Sequence, residues 1–127
     1  MTTRLTGALL ALTLAFALPL PAAAQTLLDR IQGLYYPQGM AGAWNCRDLG
    51  SDGGAVGFVG DQIRGVESAC QLKEPFPIPG MDAVRFTTTC SGEGETWDAG
   101  PVIIVPHFDG VTLVYQDFAN TWLRCPG

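Results

Sequence analysis

A chain of 127 residues with four Cys, sixteen Gly, nine Pro, a single His and a formal net charge of −5 has room for one compact domain and excludes a multidomain enzyme. Its seven basic residues are scattered, without the Lys or Arg runs that grip a phosphate backbone, so nucleic acid is a poor partner.

Residues 1–24 read as an export signal. Arg4 precedes an apolar, uncharged run over 5–20, and Ala22 and Ala24 fill the small-residue positions ahead of Gln25, so cleavage is expected after Ala24, leaving a domain over 25–127. Pro19 interrupts the run, which falls short of the roughly 20 residues that a spanning helix needs, so no stable membrane insertion is expected after cleavage. Removing Arg4 with the signal moves the net charge from −5 to −6. These features place the domain in the periplasm or outside the cell.

The first element beyond the signal is a short helix over 26–36. Leu27, Leu28, Ile31, Leu34 and Tyr35 share one helical face, Thr26 with Asp29 resembles a capping box, and Tyr36-Pro37-Gln38-Gly39 stops it. Strands follow over 41–49, 55–59, 62–73 with a bulge at Gly65, 83–90, 93–98, 102–105, 111–117 and 121–125. Glycine, proline, aspartate and asparagine turns separate them. Eight short strands at this spacing predict an all-β fold, a small antiparallel barrel or sandwich.

In an oxidising compartment four cysteines imply two disulfides, and the wide spacing of Cys46, Cys70, Cys90 and Cys125 lacks the close pairs of a zinc site. Val66, Ser68, Cys70 and Leu72 alternate with polar neighbours, as do Val84, Phe86, Thr88 and Cys90, so both runs bury their cysteine. Antiparallel pairing about Gly80 sets Cys70 opposite Cys90, which leaves Cys46 for Cys125. The same register sets Glu67 opposite Glu93, and like charges directly across a strand pair are unfavourable. The pairing must therefore end before them or a cation must sit there.

Candidate chemistry is sparse. Glu93, Glu95 and Trp97 alternate along one predicted strand and project together, about 6 to 7 Å apart for the two carboxylates. They read as a solvated face, or as candidates for recognising a basic partner or a cation. A glycosidase pair would flank a cleft and hold one acid buried, which neighbours on one exposed edge do not do. His107, in the turn Pro106-His107-Phe108-Asp109-Gly110, forms a Ser-His-Asp set with Ser91 and Asp109 only on paper, with no nucleophile elbow. Asp48, Ser51, Asp52 and Asp61 do not follow the spacing of a calcium loop, and no metal or cofactor is expected. Trp44, Trp97 and Trp122 are candidates to line an apolar ligand cavity or partner patch, or to pack as core.

Gly42-Ala43-Trp44, after a short helix and at the start of a predicted strand, resembles the G-x-W entry of calycin barrels, which include lipocalins and small periplasmic protease inhibitors. The resemblance implies a barrel with a basic residue near its end packed over the tryptophan, a part for Arg124. Parity opposes this. If Cys46 and Cys125 both face inward, Trp44 also faces inward and Arg124 faces out. The length suits the small inhibitors better than a ligand-carrying lipocalin.

The reading that results is a periplasmic or secreted, non-catalytic binding protein, with a basic extracellular hydrolase to be inhibited as the partner favoured by charge. The alternatives are a carrier of a small apolar ligand and a structural envelope protein without a discrete site.

Overall fold

The computed structural model describes residues 20–127 and, before them, positions 2, 7, 8 and 11–13. Arg4 and most of the apolar run of the expected signal lie outside the described residues. Among those described, no helix is long and apolar enough to cross a membrane.

Helix α1 spans Ala22–Ile31 and buries Ala24, Leu27, Leu28 and Ile31, an i, i+3, i+4, i+7 stripe. It begins four residues before the predicted start. Pro21 stands at its N-cap, and Thr26 and Asp29 lie inside it, so there is no capping box; the Asp29 carboxylate instead accepts from the Gln25 amide at 2.8 Å. It also ends early, with Gln32 at ψ 140°. Leu34 and Tyr35 continue the helical pattern but enter a strand, and the Tyr35 hydroxyl reaches back to donate to the Ile31 carbonyl at 2.7 Å. A strand partner outweighed helical periodicity here.

Eight antiparallel strands close into a barrel in chain order: β1 Gly33–Pro37, β2 Val56–Val59, β3 Gln62–Gly65, β4 Ser68–Pro77, β5 Val84–Gly92, β6 Glu95–Pro106, β7 Gly110–Val114 and β8 Ala119–Arg124. The seam pairs Tyr35 with Arg124 and Pro37 with Trp122. The number of strands matches the expectation, but the set differs.

The predicted strand over 41–49 does not form. It belongs to the connection between β1 and β2, where the Asn45 side chain accepts from the amides of Arg47 at 2.8 Å and Asp48 at 3.1 Å, an Asx turn that competes with extension. A lone bridge, Leu49 with Ala55, is its only pairing. The run over 62–73 is not one bulged strand but a hairpin, turned at Val66-Glu67 between the pair Gly65 and Ser68. The runs over 93–98 and 102–105 merge into β6. Gly100, at φ 79°, absorbs the register shift there, and its carbonyl accepts from the buried Thr88 hydroxyl at 2.8 Å.

Cys70 pairs with Cys90 in the β4–β5 register, and the bonds are Cys70–Cys90 and Cys46–Cys125, as expected. That register stops at Ala69 with Ser91, so Glu67 and Glu93 are never set across a ladder.

The barrel interior is filled. Tyr35, Phe58 and Trp122 pack with ring centroids 5.6 to 6.5 Å apart, and Val84, Phe86, Val102, Ile104, Val111 and Leu113 complete the core. Helix α1 adds Leu27, Leu28 and Ile31 at the end that carries the turns over 60–61 and 78–83. There Arg30 forks onto Asp82 at 2.6 and 3.0 Å, and the Gln32 amide donates to the Gly60 carbonyl at 2.8 Å. The opposite rim carries the tips of the β3–β4, β5–β6 and β7–β8 hairpins.

Candidate functional site

Strands β4, β5 and β6 run 10, 9 and 12 residues, against four to six for the rest, and because β6 pairs with β7 only from Ile103 onward, the β5–β6 hairpin extends past β7 toward the rim. Residues directly opposite in a ladder share a face. Trp97 is opposite Cys90, which is buried, and Glu95 is opposite Gly92 two positions further along. Both therefore lie on the face that lower down lines the core. They stand above the filled interior, and Trp97 stays 43% exposed.

Glu93 is not in strand register with them, contrary to expectation. It sits in the β5–β6 turn at φ 50°, and Glu67 occupies the β3–β4 turn at the same φ. A left-handed conformation costs a non-glycine residue roughly 1 to 2 kcal/mol. The two tips approach closely because position 92 is glycine: a Cβ there would lie 2.6 Å from the Glu67 carbonyl oxygen.

The result is a groove of about 230 Å³ between the tips, lined by Val66, Glu67, Ser68, Gly92, Glu93, Glu95 and Trp97. Three carboxylates and an indole face it with no basic side chain in the lining. Val66 is 40% exposed and adds a second apolar surface. Such a groove suits a cationic side chain, which gains from both the carboxylates and the ring face. Among the described residues, no group of three or more His, Cys, Asp or Glu is placed to hold a metal ion.

The other two tryptophans lie elsewhere. Trp122 is 7% exposed inside the barrel against Tyr35 and Phe58, a core residue rather than a contact surface. Trp44 is partly buried and lines a separate cleft of about 410 Å³ with Tyr36, Asn45, Arg47 and Pro126. Tyr36 alternates with the buried Tyr35, so this cleft is outside the barrel wall.

Arg124 corrects the parity argument. It pairs with Tyr35, shares its inward face, and sets its guanidinium carbon 5.1 Å from the centre of that ring while donating to the carbonyls of Gln32 and Arg30. Cys46 is on a loop, not a strand, so the Cys46–Cys125 bridge runs along the outside of the wall and needs no inward cysteine. The aromatic beneath Arg124 is Tyr35, not Trp44. Burial pushes the Tyr35 hydroxyl pKa up, with Arg124 partly opposing the rise.

His107 and Asp109 are in the β6–β7 turn at the helix end of the barrel, whereas Ser91 is on β5 near the rim, so the three do not meet. His107 Nε2 instead meets the Thr112 hydroxyl, itself 3.0 Å from that of Thr121. Asp48 accepts from the Asn45 amide at 2.7 Å near the rim loop, and Asp61 is in the β2–β3 turn at the other end. Sequence reasoning missed Val66 and Glu67 as groove residues. The signal was there, since the Glu67–Glu93 conflict marked the place where two acidic tips converge.

No family model matches the chain, and no curated protein or solved structure is significantly similar to it.

Proposed function

We propose that this protein is an exported, non-catalytic binding protein that captures a basic partner at the acidic rim groove. The observation that carries the reading is Trp97, standing above the filled interior with Glu67, Glu93 and Glu95 around it and no cation in the groove's lining. The net charge of −5 favours encounter with a cationic surface, and two disulfides suit an oxidising compartment outside the cytosol. The closed antiparallel barrel is of the kind used by small calycin protease inhibitors, which favours a basic extracellular hydrolase as the partner.

Immobilised protein should retain a basic enzyme from periplasm or culture fluid at low salt and release it as salt rises. Replacing Glu67, Glu93 and Glu95 together by Gln should lower retention at least tenfold, and Trp97→Ala should do so without removing the salt dependence. Empty pull-downs at low salt, or retention indifferent to these changes, would overturn the reading.

The cleft beside Trp44 supports a second reading, a small-ligand site, because about 410 Å³ lies within the range of ligand pockets. That reading requires saturable quenching of Trp44 emission by an apolar probe, lost in Trp44→Phe.

A further inference from the structure

A second cleft, of about 310 Å³, lies against the outer face of the same hairpins. Leu49, Gly50, Ser51, Arg64, Gly65, Glu67, Ser68, Ala69 and Ser91 line it. Ile63 is buried inward, so Arg64 projects outward from β3, and the ladder sets Arg64 beside Ala69 and Ala69 beside Ser91. The loop over 49–51 covers one side and is pinned there by the Glu67 amide, which donates to the Gly50 carbonyl at 2.8 Å.

Among the described residues, the Arg64 guanidinium has neither a hydrogen bond nor an ion pair, and its Nε is buried without an acceptor. An arginine kept for the stability of the fold would find a carbonyl or carboxylate, as Arg30 and Arg124 do. A buried donor left unpaired is destabilising, more so when charged. Ser51 and Ser91 also line the cleft, Ser91 on the outward face through its pairing with Ala69, and neither side chain has a hydrogen bond among the described residues.

We infer that this cleft is a carboxylate-binding site, with Arg64 as the anchor and Ser91 as a flanking donor. A planar guanidinium takes a carboxylate through two parallel hydrogen bonds. Glu67 at the edge of the cleft disfavours a dianion, which selects a singly charged carboxylate over phosphate. The inference does not rest on the acidic groove: Glu67 and Ser68 border both, but Arg64 and Ser91 belong to this cleft alone.

The test is a titration of the disulfide-intact, 15N-labelled protein, following the Arg64 Nε–Hε signal and the amides of Ser68 and Ser91. The probes are N-acetylglycine, N-acetylglycinamide, a neutral eight-residue peptide with free or amidated C-terminus, and inorganic phosphate. Saturable shifts with the free carboxylates and none with the amides carry the inference. Saturation by N-acetylglycine assigns a free small acid, and saturation by the peptide alone assigns a chain terminus. Arg64→Gln should weaken binding at least tenfold, while Arg85→Gln, exposed on β5, should leave it unchanged. If Arg64→Gln does not fold, Ser91→Ala should weaken it several-fold. No saturation, equal shifts at Arg30, Arg47 and Arg85, an unchanged response in these variants, or tighter saturation by phosphate would overturn it.

Discussion

Gly92 and Tyr35 show how much single positions decide in this barrel. A methyl group at position 92 meets backbone rather than a flexible side chain, so Gly92→Ala must splay the β3–β4 and β5–β6 tips. We expect a loss of about 1 to 3 kcal/mol in a thermal melt, with Cys70–Cys90 still formed and capture of a basic partner weakened because Glu67 leaves the groove. Tyr35 makes a prediction about pH. Its pKa is raised in the folded state by burial, so the folded protein holds that proton at a pH where the unfolded chain has lost it. The contribution is complete below the unfolded tyrosine value of about 10 and disappears as pH rises through the folded one. Denaturant unfolding between pH 8 and 11 should show stability falling at the alkaline end. Tyr35→Phe should flatten that fall, at a constant cost of about 1 kcal/mol for the lost bond to Ile31. The first of these positions was partly legible in the sequence through the Glu67–Glu93 clash. The second was misread, because Leu34 and Tyr35 extend a helical stripe whose true end depends on β8 lying alongside.

At the scale of elements, period-two alternation identified β5 and the Cys70–Cys90 register, since both depend on neighbours close in sequence. It failed where a segment's partner was decisive. The run over 41–49 alternates acceptably but has no strand to pair with, and Asn45 folds it into turns. The β3–β4 hairpin read as one strand because Val66 and Glu67 carry no turn signature, and Glu67 adopts its left-handed conformation without glycine's freedom. Helix α1 adds a constraint of its own. Ala24, the last residue before the expected cleavage, is fully buried in the first turn of the helix. Cleavage at that point would have to precede folding and would leave the helix held by Leu27, Leu28 and Ile31. Intact mass of exported protein should give a chain beginning at Gln25, whereas retention of Ala22–Ala24 would refute the assignment. The two disulfides should also differ in worth. The chain-entropy argument gives about 3 kcal/mol for a separation of 20 residues and about 4.5 for one of 79. Replacing Cys46 and Cys125 by Ser should therefore lower the melting temperature more than replacing Cys70 and Cys90.

Across the whole molecule, the fold class followed from strand spacing and turn chemistry, but closure did not, because a sandwich and a barrel share the same local text. What closes it is the meeting of β1 with β8, reinforced by Arg124 over Tyr35 and by the outer Cys46–Cys125 clasp. Seven of the eight pairings join strands that are consecutive along the chain, and only this seam joins the two extremities. Consecutive hairpins zip quickly and in any order, whereas the seam pays the entropy of drawing distant segments together before any contact rewards it. During biogenesis the nascent sheet therefore passes through an open ribbon with two unsatisfied edges, the form most exposed to pairing with a neighbouring copy. The pairing of β1 with β8 removes those edges, and the Cys46–Cys125 bond tethers the loop after β1 to the residue after β8.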